Sequence, residues 1–143
     1  DNRMSSQLNV DTIVDKAGSG GTNVKIGNTS TYVSDGGNVT QNTVQGIAKS
    51  WAGGLTDGAA DDSFSFSSFT DLGTGDNTCT FTNTMSNTGY SSLATADIAG
   101  TVANRLAVVY AKSTSLFKIE SFIADTAGNS GSDQNCTVHG DLA

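Results

Sequence analysis

The chain has no proline, and among its 143 residues there are one histidine (His139), one tryptophan (Trp51), one glutamate (Glu120) and two cysteines. Basic residues are also scarce. Seven Lys plus Arg stand against 14 Asp plus Glu, a formal net charge of -7, which argues against any binding mode that neutralises phosphates, whether nucleic acid or an anionic membrane surface. With a single imidazole, any Ser-His-Asp arrangement would have to use His139, and no serine stands in a nucleophile-elbow context. Cys79 and Cys136 allow one intramolecular disulfide at most and have no metal-ligand spacing. The longest uninterrupted apolar run is Leu106 to Ala111, far short of a membrane span. No basic stretch followed by an apolar one opens the chain, so no secretory signal is expected, and Met4 is the candidate native start. The shortage of Glu and Lys disfavours helix, which argues against helical bundles, coiled coils and α/β nucleotide folds.

What remains is suited to strands and turns: 17 Gly with abundant Ser, Thr and Asn. Charged residues make up 15%, too few for a charge-extended disordered chain, and 6 Phe with 3 Tyr supply core anchors for one domain. Residues 5–15 read as one strand with an irregular end, carrying Leu8, Val10 and Thr12. Short β-prone pieces follow at 24–26, 31–33 and 38–44, too polar to build a core without a partner. GGLTDGAADD after Trp51 reads as a loop. SFSFSSFT places Phe64 and Phe66 on one face, with Phe69 out of phase, which predicts a bulge around Ser67 and Ser68. Residues 63–84 then form a hairpin with a five-to-seven-residue loop and with Cys79 and Phe81 inward.

YSSLATAD is a further candidate strand, and RLAVVYAK, apolar on both faces, is expected to be central. SLFKIESFI alternates as a half-exposed strand, ADTAGNSGSDQ is a second long turn, and NCTVHGDL closes the chain with Cys136, Val138 and Leu142 inward. The pattern predicts an all-β, antiparallel sandwich or meander over residues 45–143, preceded by an extended β-rich segment over residues 1–44. The expected core is Trp51, Phe64, Phe66, Phe69, Phe81, Tyr90, Val108, Phe117, Ile119 and Val138. The cysteines read as small buried apolar residues in a reducing compartment, with a disulfide between neighbouring strands as the alternative.

Candidate chemistry is sparse. Asp57, Asp61 and Asp62 share one loop, but a glycosidase needs carboxylates on opposite sides of its bond, so turn formation explains them better. LGTGDN, with Asp71 just before it and Asp76 within it, and DGGN at 35–38 are superficially like calcium loops. Calcium takes six to eight oxygens, whereas each loop offers one or two carboxylates. His139 falls out of phase with the apolar face and reads as a solvent-facing or interface imidazole. Trp51 packs in the core or, alternatively, stacks on a sugar. Sequons at Asn28, Asn38 and Asn135 arise readily in such a composition. No cofactor and no catalytic residue is expected. The binding candidates are Trp51, Asp57, Asp61 and His139; the metal candidates are Asp71 and Asp76.

The stretch from Gly46 to Tyr90, GIAKSWAGG followed by DDSFSFSSFTDLGTGDNTCTFTNTMSNTGY, resembles a module of marine bacteriophage tail-fibre and tail-associated structural proteins. The matching positions are Ala48, Lys49, Ser50 and Trp51; Ser63, Phe64, Ser67 and Ser68; Asp71, Gly73, Thr74, Gly75 and Asp76; and Thr80, Phe81, Thr82, Met85 and Tyr90. The opening SSQLNVDTIVDKAGSG and the ending VHGDLA are similar to the termini of that family, although Cys79 and the brief segment 17–44 depart from it. The resemblance implies a non-enzymatic virion protein assembled in the host cytoplasm: a short tail fibre, spike or capsid-surface knob. It implies a homotrimer, with residues 1–44 anchoring to other virion proteins and residues 45–143 facing a host surface glycan. A carbohydrate-binding receptor-recognition module is the alternative, and a polysaccharide depolymerase a third reading.

Overall fold

Side chains alternate in and out with a period of two along the strands that line the interior. This is what Thr-, Phe- and Val-rich pieces do when only one face can be buried. The computed structural model describes residues 31–33, 40–97, 104–124 and 128–143. The strands expected at 5–15 and 24–26 lie outside the described residues, as does DGGN at 35–38. In chain order the elements are β1 (Thr31–Val33), β2 (Thr40–Asn42), the single helical turn α1 (Thr43–Gly46), β3 (Ser50–Leu55), β4 (Asp62–Phe64), β5 (Phe66–Gly73), β6 (Asp76–Phe81), β7 (Ser91–Ala96), β8 (Arg105–Tyr110), β9 (Leu116–Ile123), β10 (Gly128–Asn129) and β11 (Gln134–His139).

All strand pairs among the described residues are antiparallel. β1 and β2 pair with each other. One larger sheet has the order β4-β3-β11-β7; the other runs β5-β6-β9, with β8 and β10 also paired to β9. Ser121 in β9 donates its N–H to Gly75 O and accepts at its carbonyl from Ser130 N, so β10 continues the edge that β6 occupies. The fold is therefore all-β, with two antiparallel sheets enclosing one interior.

That interior is built from Ala52, Leu55, Cys136 and Val138 on one sheet and Cys79, Phe81, Phe117 and Ile119 on the other, joined by Met85 and Tyr90. One end of it is aromatic. Phe66, Phe81 and Phe117 lie 5.5–5.9 Å apart between ring centroids, Phe69 is 5.2 Å from Phe66, and Tyr90 is 5.5 Å from Phe81. The Tyr90 hydroxyl donates towards the Ser113 and Leu116 carbonyls, at 3.1 and 3.2 Å. Full burial of a Phe, Leu or Met of this kind contributes about 1.5–3 kcal/mol.

The other end is polar and fully partnered. Gln134 is completely buried; its Nε2 donates to Gly75 O and Ser121 Oγ, and its Oε1 accepts from Asn77 Nδ2. Ser121 Oγ donates to Ser130 O, Ser130 and Ser132 share a hydroxyl hydrogen bond, and Asn77 Oδ1 accepts from Gly58 N. A satisfied network of this sort costs little to bury and fixes one arrangement of the strands that share it.

Several expectations need correcting. Phe64 does not share a face with Phe66. Ser65 adopts a left-handed φ of 61 between β4 and β5, so the chain passes from one sheet to the other there; Phe64 turns outward and Phe66 inward. The bulge expected near Ser67 and Ser68 is present as a register shift between Phe66 and Ser68. The β5–β6 hairpin closes on Thr74-Gly75 alone, since Gly73 pairs with Asp76, so the loop is much shorter than expected. GGL belongs to β3, and Leu55 is fully buried rather than in a loop. Among the described residues β8 pairs only with β9, so it is an edge and not central; Ala107 and Val109 pack on the core while Leu106 and Val108 face out. Trp51 and Leu142 are likewise exposed. Cys79, Phe81, Tyr90, Phe117, Ile119 and Val138 are core residues as the alternation predicts, with Phe66 and Phe69 packed against them.

Candidate functional site

The outward face of the sheet β4-β3-β11-β7 carries the largest apolar side chains that the core leaves out. On β3, Ser50 and Ala52 point inward, so Trp51 points out; on β11, Cys136 and Val138 point inward, so Thr137 points out. On β7 the inward positions are small, Ser92, Ala94 and Ala96, and the one large apolar residue, Leu93, is on the outer face. Register brings these residues into line. Phe64 pairs with Trp51, Trp51 with Thr137, and Thr137 with Leu93. The row crosses every strand of the sheet, about 14 Å at the usual strand spacing. Its three large members are strongly solvent-exposed: Phe64 54%, Trp51 39% and Leu93 65%.

Polar groups flank the row. Asn135, one step along β11 on the same face, accepts from Gly54 N at 3.2 Å and donates Nδ2 to Asp97 Oδ1 at 2.8 Å, so its amide is held in one orientation. A shallow hollow of about 320 Å³ lies between Leu93, Thr95, Asn135 and Thr137. His139 lies beyond Thr137 on β11, opposite Ser91, and is half-buried. It lines a separate cleft of about 320 Å³ with Asn87, Tyr90 and Asp141.

The remaining candidates are dispersed. Asp57 (φ 46) and Gly58 (φ 75) are the central residues of a tight turn closed by reciprocal hydrogen bonds between Thr56 and Ala59. An Asp-Gly pair is favoured in that conformation. Asp61 is exposed and its side chain lies over Gly54, where any β-carbon would collide with it. Asp71 accepts from Gly73 N at 2.8 Å within its own turn, whereas Asp76 accepts from the Tyr110 hydroxyl at 2.6 Å on the outer face of the second sheet. That environment pushes the Tyr110 hydroxyl well above its usual value, through desolvation first and then the hydrogen bond to Asp76. Among the described residues no group of three or more His, Cys, Asp or Glu is placed to hold a metal ion. The structure therefore aligns Trp51 with Phe64 and Leu93 in one row, and it sets the Asp57–Gly58 turn against Asp71.

No family model, curated protein or solved structure matches the chain. The arrangement of the apolar row can hold a flat, weakly polar surface against the sheet by ring stacking and burial of apolar area. Sequence reasoning missed Phe64 and Leu93. The signal for Leu93 was present, since it alternates with Ser92, Ala94 and Ala96, but the usual assumption puts the largest apolar residue of a strand inside.

Proposed function

We propose that the chain is a structural protein of a phage virion (a short tail fibre, spike or capsid-surface knob) whose β domain, residues 45–143, faces outward and contacts the host surface. The observation that carries this reading is the Phe64–Trp51–Thr137–Leu93 row, an exposed apolar ribbon on a domain whose charge is otherwise acidic. The resemblance of residues 46–90 to phage tail-associated proteins supplies the context. In this reading residues 1–44 anchor the protein to other virion proteins and hold a homotrimer together, and Asp57 and Asp71 serve as turn formers. Purified particles should bind an antibody raised against residues 45–143. The full chain should sediment as a trimer. A monomer on unlabelled particles would overturn the reading.

A carbohydrate-binding receptor-recognition module is the second reading, favoured by the adjoining exposed rings of Trp51 and Phe64 beside the oriented amide of Asn135. A glycan array tests it. Wild-type binding that disappears in Trp51→Ala, with the melting temperature within a few degrees of wild type, supports it; an array on which the wild type binds nothing sinks it. A polysaccharide depolymerase has the least support, because Asp57 and Asp71 are engaged in turns and Asp76 in a hydrogen bond to Tyr110.

A further inference from the structure

β6 and β11 are inner strands of opposite sheets, and their inward side chains meet in matched pairs. Asn77 donates to Gln134, and two residues further along each strand Cys79 and Cys136, both buried and both free thiols, point into the same core from opposite sheets. The rows around them are complementary. Cys136 lies between Ala52 and Ala94 on its neighbouring strands, and Cys79 lies between Phe69 and Phe117. Large side chains on one sheet thus oppose small ones on the other.

We infer that Cys79 and Cys136 form an intersheet disulfide when the chain folds in an oxidising medium, and that the free-thiol pair is the reduced form of that bond. The oxidant required is a low-molecular-weight disulfide, such as glutathione disulfide. One protein thiolate attacks it and releases one glutathione thiolate; the second protein thiolate then displaces the remaining glutathione from the mixed disulfide. Two protein S–H bonds are lost and one protein S–S bond forms. The glutathione S–S bond breaks, and its two thiols take up the two protons. In the folded chain the contact with Cys136 and burial hold the Cys79 thiol protonated and away from solvent. Exchange therefore belongs to the folding chain rather than the finished fold. The cross-link closes a loop of about 60 residues, in the range where constraint of the unfolded chain is substantial.

The test is refolding of the full wild-type chain from denaturant in a mixture of oxidised and reduced glutathione, compared with refolding in excess reductant. The expected result is an intact mass 2 Da lower in the oxidised sample, one Cys79–Cys136 linked peptide, and a melting temperature higher by roughly 5–15 °C. Cys79→Ala and Cys136→Ala should each lose the dependence on redox buffer. Because the mass readout uses the wild type, a variant that folds poorly does not affect it. A folded product that retains two alkylatable thiols, carries a glutathione adduct, links two chains, or melts lower when oxidised would overturn the inference. The inference stands independently of the proposed function.

Discussion

Tyr90 shows how one side chain sets the alkaline limit of the fold. Burial pushes its hydroxyl up to about 12 from 10. A group held neutral in this way stabilises the fold fully below pH 10, and that contribution is lost as pH rises from 10 through 12, up to about 3 kcal/mol. Melting temperatures measured from pH 8 to 12 should therefore fall most steeply in that window. Tyr90→Phe should flatten that fall while costing about 1–2 kcal/mol at neutral pH, because the Ser113 carbonyl loses its phenolic donor. Gly75 is the second residue on which much depends. Its φ is 71, and a β-carbon there would lie 2.1 Å from the Ser130 carbonyl oxygen, a backbone atom. Gly75→Ala should destabilise by about 3 kcal/mol or more, read as a lower urea midpoint, since both the turn and the buried network around Gln134 would have to move.

At the level of elements, Ser65 is the hinge between β4 and β5, and its left-handed φ carries a cost that a glycine would not. Ser65→Gly should raise stability by about 0.5–1 kcal/mol in denaturant titration, and Ser65→Val should lower it by more. The same hinge marks where the sequence stops being readable. Alternation in β6, β9 and β11 places Cys79, Phe81, Phe117, Ile119, Cys136 and Val138 correctly, because each of those strands has one face to bury and one polar face to expose. SFSF alternates equally well, yet Phe64 and Phe66 face opposite ways; a change of sheet leaves no mark on a period-two pattern. β8 misleads for a related reason. Its apolar residues on both faces suggest a central strand, but it is an edge strand and Leu106 and Val108 are exposed. The buried polar end was also unreadable, since Gln134, Ser121, Ser130 and Ser132 look like turn and surface residues until the strands bring them together.

Across the molecule the apolar material is divided between one enclosed interior and exposed residues on both outer faces, of which the Phe64–Trp51–Leu93 row spans a whole sheet. Exposed residues contribute little to stability, so Leu93→Ser should shift the melting temperature by only a degree or two. If the row is a contact surface, the same change should reduce self-association or surface binding, measurable by light scattering and by the glycan array. With a sequence pI near 4.2, turbidity should be greatest close to pH 4, where no net charge holds copies apart. Residues 62–73 belong to both sheets, joined at Ser65, and so form a bent tie between the layer that carries the exposed row and the layer behind it. A tug on Phe64 would be felt first at that bend and then along the whole β5–β6 ladder. Peeling one layer from the other through this tie therefore loads the hydrogen bonds of the β5–β6 ladder together, which resists shear between the sheets.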